Sequence, residues 1–252
     1  MGHILVEGVA VSTDHYIGGK RVSSSNTFED ISPIDEKSLG HVAAGGRAEV
    51  AATVSAAREA FPTWATLGPE GRGAYLRRFA ESIEAHIEDL AAVETTDNGS
   101  LLEASRLRVM KRGEHNIRFF AEYAERLAGE LWKTADGSAQ NRVLYQPAGV
   151  TAIVTPWNAP LMLSTWRIGP ALASGNTVAL KPPEWAPLTC SLLADYAQEA
   201  GLPAGVFNVV QGLGHEAGAA LVAHPGVRRV AFTGSPATGK LIGKAAAENI
   251  TP

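Results

Sequence analysis

Three short runs carry residue types able to bind and orient a reacting group: Thr155-Pro156-Trp157-Asn158, Lys181-Pro182-Pro183-Glu184 and Phe232-Thr233-Gly234-Ser235. Asn158 follows Pro156 and precedes Pro160, so its backbone is confined to an extended turn and its side-chain amide is expected to be held in place. A fixed neutral amide suits the stabilisation of an oxyanion; Asn is equally an ordinary turn residue. Lys181 is followed by two prolines, which end a strand and forbid an immediate helix, so its ammonium is expected to project over a sheet edge. A plain strand terminator is the alternative. Gly212, Gly214 and Gly218 open a helix after a strand, where backbone amides and the helix dipole can face a pyrophosphate. Their spacing is not GxGxxG, and a tight loop explains it as well. Gly234, Ser235 and Gly239 form a second such nest, with Ser235 or Thr233 as the helix cap.

Around these runs the chain alternates strand and helix. Apolar strands are predicted at 150–154, 177–180, 206–210 and 229–232, and helices at 161–172, 188–200, 216–223 and 237–247. Continuous apolar strands each followed by a helix imply a parallel sheet covered on both faces. In such open sheets ligands bind outside the carboxyl ends of the strands, and these ends are 155–158, 181–184, 211–215 and 233–235. The segment 46–126 reads as helical instead, with helices predicted at 48–60, from Pro69 to about 89, and over 103–127. Residues 15–22 read as a hairpin about Gly18-Gly19, expected on the surface. A turn at 135–138 precedes an exposed strand at 142–146, an arm of the kind that seeks a partner chain.

Composition narrows the function classes. A chain of 252 residues, 45% hydrophobic and 19% charged, is globular. Its net charge of -4 and lack of a basic stripe argue against a nucleic-acid partner. No run suits a signal peptide or a membrane span, so the cytoplasm is the expected location and no membrane partner is expected. The single cysteine excludes an internal disulfide, and the seven histidines show no metal-binding spacing. No metal is expected.

Taken together, TPWNAP, GPALASGNTVALKPPE, GLPAGVFNVVQGLG and VAFTGSPATGK resemble the aldehyde dehydrogenase superfamily in sequence, order and spacing, over nearly the whole chain. The resemblance implies a Rossmann-type open α/β sheet that binds NAD, or NADP, without the GxGxxG fingerprint. It gives Asn158 the role of oxyanion donor to a thiohemiacetal. Lys181 and Glu184 would hold the adenosine ribose, Gly234 and Ser235 would face the pyrophosphate, and Gly214 would approach the adenine side. Thr155, Pro156 and Trp157 would line the nicotinamide channel. Ala159, Met162, Leu163, Trp166 and Arg167 would lie on the helix of the aldehyde tunnel, with Arg167 a partner for a substrate carboxylate or simply a solvated charge. The phrasing around 160–189 and 202–218 is most similar to 5-carboxymethyl-2-hydroxymuconate semialdehyde dehydrogenases, which implies a semialdehyde of aromatic breakdown as substrate and a homo-oligomer as the working form.

The chain departs from that family where the chemistry is performed. The thiol nucleophile of a GQxC motif and the glutamate of an ELGGK motif are not among its residues. Cys190 sits in the first turn of a helix packed on the sheet and reads as a buried structural cysteine. The chain is therefore expected to be the cofactor half of an enzyme. It divides into a hairpin and helical part at 1–130, an oligomerisation arm at 131–148 and a βα-repeat part at 149–252, with the catalytic domain missing. A non-catalytic nucleotide-binding or interaction protein is the alternative. A short-chain or lactate-type dehydrogenase is excluded, because it needs GxGxxG near the start and a different catalytic set.

Overall fold

The computed structural model describes residues 2–252. Two antiparallel hairpins open the chain: β1 (His3–Val6) with β2 (Val9–Ser12), and β3 (His15–Ile17) with β4 (Lys20–Val22). A third hairpin, β5 (Thr27–Ile31) with β6 (Ser38–Ala43), leads into five helical segments. These are α1 (Arg47–Thr66), α2 (Gly68–Ala85), α3 (Ile87–Asn98), α4 (Leu102–Ala104) and α5 (Lys111–Ala124), with a π-helical turn at Ser105–Met110 between the last two. A small exposed hairpin, β7 (Leu131–Lys133) with β8 (Gln140–Arg142), precedes the alternating half. There β9 (Val150–Val154), α6 (Pro160–Ala173), β10 (Thr177–Lys181), α7 (Leu188–Glu199) and β11 (Phe207–Val209) follow in turn. They lead to α8 (Ala219–Val222), β12 (Val227–Phe232) and α9 (Pro236–Glu248).

The main sheet has the order β12-β9-β10-β11-β3-β4. Strands β12, β9, β10 and β11 are parallel, as the four βα units require, and β3 joins β11 antiparallel through Val209 and Tyr16. Period-two alternation sends neighbouring side chains to opposite faces. Val178 and Leu180 pack with Leu192, Leu193 and Ile168 under α6 and α7, whereas Ala179 and Ala152 pack with Val54 and Ala57 of α1 and Leu221 of α8. The second face is lined by small residues, which lets α1 lie close: the hydroxyl of Thr177 in β10 donates to the Ala57 carbonyl, 2.9 Å away.

Four expectations change. The hairpin at 15–22 is not a surface appendage: His15 and Tyr16 are buried, because they face the helical layers on either side and supply the partner that β11 needs. The strand expected at 142–146 lies at Gln140–Arg142; pairing with the opposite strand ends at the Val143 amide, which donates to Glu130 at 2.9 Å. The helical run from Pro69 breaks at His86 (φ -115°) and resumes as α3. The run 103–127 contains the π turn, and the helix after β11 likewise opens with a π turn at Gly214–Gly218. The hairpins β1–β2 and β5–β6 were not expected from the sequence, although Gly8 and Pro33 stand in their turns.

Candidate functional site

Strand order reverses beside β9: the chain runs from β9 to β10 and β11 on one side, then returns to place β12 on the other. Loops leaving the carboxyl ends of β9 and β12 must diverge there, and a crevice opens between them. Its volume is about 830 Å³, and its walls include Thr155, Pro156, Trp157, Lys181, Glu184, Gly214, Gly234 and Ser235. All eight residues singled out for dinucleotide binding therefore meet in one place. Leu241, Ile242 and Ala245 of α9 and Val222 of α8 supply an apolar wall that the sequence reading did not single out.

The expectation for Lys181 is corrected. It does not project over the edge but is 1% exposed, and its Nζ donates to Glu184 Oε2 at 2.6 Å. As the last residue of β10 its side chain falls under the following loop, where only a carboxylate three residues on can satisfy it. Burial pulls the ammonium below its ordinary range, with the Glu184 charge opposing. Burial works to raise the Glu184 carboxyl, but the Lys181 charge and its hydrogen bonds outweigh that and hold it below the usual range. The other oxygen, Oε1, accepts the Gly214 amide at 3.2 Å. The pair thus presents a fixed, ionised carboxylate at the crevice wall.

Ser235 caps α9 as expected, its Oγ accepting the Thr238 amide at 3.1 Å. Because Ser235 also lines the crevice, the positive end of a 13-residue helix opens onto it, a setting that favours an anionic group. Trp157 and Trp185 stand at the rim, their ring centroids 6.5 Å apart.

Asn158 is placed differently from the expectation. It is exposed, outside the crevice, and its side-chain amide makes no hydrogen bond among the described residues. Only the backbone is held, with the Trp157 carbonyl accepting from Asn98 Nδ2 at 3.4 Å. Met162, Trp166 and Arg167 on α6 do not line the crevice either. Arg167 donates to the Thr233 hydroxyl at 3.4 Å and borders a separate groove of about 770 Å³, while Arg112 lies over the Trp166 ring at 5.5 Å. Cys190 is fully buried, 3.3 Å from the Ser164 hydroxyl, and burial pushes its thiol far up, so it is held neutral. No group of three or more His, Cys, Asp or Glu among the described residues is arranged to hold a metal. No helix among them is long and apolar enough to cross a membrane.

Two residues that position the crevice loops escaped the sequence reading. Glu94 Oε2 accepts the Leu161 amide at 3.3 Å and the Thr189 hydroxyl at 2.7 Å; Asp97 Oδ2 accepts the Leu188 amide at 2.9 Å. These acids of α3 satisfy first-turn amides of α6 and α7, the helices entered from the Asn158 and Glu184 loops. Burial pushes Glu94 up to about 7. Burial first, then the neighbouring Asp30 charge, pushes Asp97 well above its ordinary value. The signal was available: Leu90, Ala91, Glu94 and Asp97 share one helical face, which puts both acids at core positions.

Fold and crevice define an open α/β domain with a crevice where strand order reverses, the place where such sheets take their ligands. The chain belongs to the aldehyde dehydrogenase family, whose sequence model matches residues 21–252. It is 43% identical over 231 residues to the 5-carboxymethyl-2-hydroxymuconate semialdehyde dehydrogenase of Escherichia coli, a match covering 92% of this chain and 49% of that protein. It is 42% identical over 245 residues to the 2-hydroxymuconic semialdehyde dehydrogenase of Pseudomonas sp. (strain CF600), covering 94% and 50%. Among solved structures, HpcC from Thermus thermophilus superposes with a TM-score of 0.89 at 41% identity, over 98% of this chain and 51% of that one. Betaine aldehyde dehydrogenase from Staphylococcus aureus in complex with NAD+ gives 0.91 at 36% identity, over 96% and 48%. The chain spans about half the length of the curated relatives it matches.

Proposed function

We propose that this chain is the dinucleotide-binding part of an NAD-dependent aldehyde dehydrogenase acting on a semialdehyde. The observation that carries the reading is the meeting of eight residues from four separate loops in one crevice of about 830 Å³ at the strand reversal. When bound, NAD supplies the hydride acceptor; the chain's residues hold it. Glu184, kept ionised by Lys181, is placed to accept from both hydroxyls of a ribose, and its charge disfavours a 2'-phosphate, which supports NAD over NADP. Ser235 and Gly234, at the capped start of α9, suit the pyrophosphate. Pro156 and Trp157 line the nicotinamide end.

Asn158 is proposed as the oxyanion donor, an interaction that contributes about 3 kcal/mol in comparable sites. Its amide has no competing partner among the described residues. Met162, Trp166 and Arg167 are proposed for the aldehyde tunnel, with Arg167 facing the substrate carboxylate. Cys190 cannot be the nucleophile, because it is buried and neutral. The division into 1–130, 131–148 and 149–252 is kept as a proposal, with the exposed β7–β8 hairpin as the oligomerisation arm of a homo-oligomer in the cytoplasm.

The test is calorimetry of NAD with residues 1–252, alongside an aldehyde-oxidation assay on the same sample. Binding without turnover is expected. Absence of binding overturns the cofactor reading, and turnover overturns the assignment of Cys190.

A further inference from the structure

The loop after β11 is held from the far end of the sequence. The Gln211 amide donates to His15 Nδ1 at 3.0 Å, and the Gln211 carbonyl accepts from the Gly45 amide at 2.9 Å. At Gly212 the backbone turns with φ +141°, and a Cβ there would come within 2.9 Å of the Gly45 nitrogen, so the two backbones cross in contact. Two residues further on, the Gly214 amide donates to Glu184 Oε1 at 3.2 Å. An imidazole, a backbone crossing and the crevice carboxylate thus stand in series.

His15 is wholly buried. Because Nδ1 accepts, the ring is the neutral tautomer with its hydrogen on Nε2. Nε2 has no partner among the described residues, and neither does the Gln211 side chain. An imidazole used only to fill space here would leave a buried donor unmet for no return, a cost that an apolar residue avoids. The one polar contact the ring makes with the loop is the acceptor at Nδ1.

We propose that His15 is a positioning residue: its Nδ1 fixes the Gln211–Gly214 loop and, through the Gly214–Glu184 hydrogen bond, the carboxylate at the crevice wall. Its effect on ribose affinity rests on the cofactor reading above. The charged groups facing the ring are Glu49, in the first turn of α1, and Asp14 beside it. Arg21, opposite Tyr16 in the hairpin register, ion-pairs with Asp195 of α7 on the other face. Burial lowers His15 below its ordinary 6.5, with Glu49 and Asp14 opposing. Protonation would set a hydrogen on Nδ1 against the Gln211 amide. The bonded form is therefore complete above pH 6.5 and is lost as pH falls from there through the lowered value.

The experiment measures amide hydrogen exchange at Gln211 and Gly214 in the NAD-free chain, corrected for intrinsic rates, across this pH range, with NAD affinity measured in parallel. The variants are His15→Asn, whose Oδ1 can take the place of Nδ1, and His15→Gln, whose amide reaches the Nε2 position instead. Exchange in the wild type is expected to speed up below pH 6.5 at these two amides. His15→Gln is expected to speed it about five- to tenfold at neutral pH, while His15→Asn stays within about twofold and loses the pH dependence. NAD affinity should weaken in the same order. Equal exchange in the Asn and Gln variants, or a wild type with no local acceleration, overturns the proposal. If the wild type exchanges as expected but binds no NAD, the loop role stands and the cofactor reading falls. The wild-type series needs no variant to fold.

Discussion

Glu184 serves two donors at once, the Lys181 ammonium and the Gly214 amide. Changing it to Gln keeps its size but leaves a buried cation without a counter-charge. Because the Glu184 side chain is 30% exposed, solvent screens part of the loss, and Glu184→Gln should destabilise by about 2 kcal/mol rather than the full cost of a broken buried pair. Urea unfolding checks this figure. The same variant should weaken NAD binding at least tenfold by calorimetry if the carboxylate holds the ribose. Glu94 works in the opposite sense. Its folded value, about 7, lies above its ordinary 4.5, so the fold binds the proton more tightly than the unfolded chain does. Its contribution is full below pH 4.5 and is lost as pH rises through about 7. One oxygen, Oε2, accepts both of its hydrogen bonds, so a Gln carbonyl can take both. Glu94→Gln is therefore expected to remove a pH-dependent loss on the order of 2 kcal/mol between about pH 5 and pH 8, and to match or exceed the wild type at the upper end. Urea midpoints at both pH values decide it. The sequence showed that Lys181 and Glu184 were unusual, because prolines punctuate them. It did not show that the lysine points inward, since strand-end geometry depends on the loop that folds over it.

At the scale of elements, α5 and α6 cross where Gly113 meets Leu161; a Cβ on Gly113 would overlap the Leu161 side chain. Gly169 makes the reciprocal approach, its Cβ position 3.1 Å from the Asn116 carbonyl oxygen. Asn116 Nδ2 then reaches the Met162 carbonyl at 3.1 Å, tying the two helices at the level of the proposed tunnel. Gly113→Ala should cost about 1 to 3 kcal/mol through overpacking, despite the better helix propensity of alanine. Thermal unfolding followed by circular dichroism measures it, and a rise in stability would show that α5 shifts freely. Elements whose signal is periodic and continuous were legible: all four βα units lie where apolar strands and helical spacing put them. The hairpins β1–β2 and β5–β6 were not: Gly8 marks one turn and Pro33 and Asp35 the other, but the strands beside them lack the clean apolar–polar alternation that turns such residues into a hairpin signal. Likewise His86 ends α2 without a glycine or proline to mark it.

For the whole molecule, one concentration of exposed apolar residues stands out. Tyr123, Leu127, Leu144 and Tyr145 border one groove of about 770 Å³ that also reaches Arg167 and β12, and Leu131 and Trp132 project from the nearby hairpin. Apolar surface of that extent on an isolated chain drives association. Sedimentation velocity should show concentration-dependent self-association, reduced when Leu131 and Leu144 are both replaced by Lys; a monomer at all concentrations would argue that the groove is too wet to adhere. The sheet also sets an order of events. Tyr16 pairs with Val209, and Gly18 donates to Asn208, partners separated by about three-quarters of the chain. On a ribosome the β3–β4 hairpin emerges long before β11 exists, and it must wait for the strand it completes. A segment made early is thus among the last to find its place, and until it docks, β11 remains a bare edge.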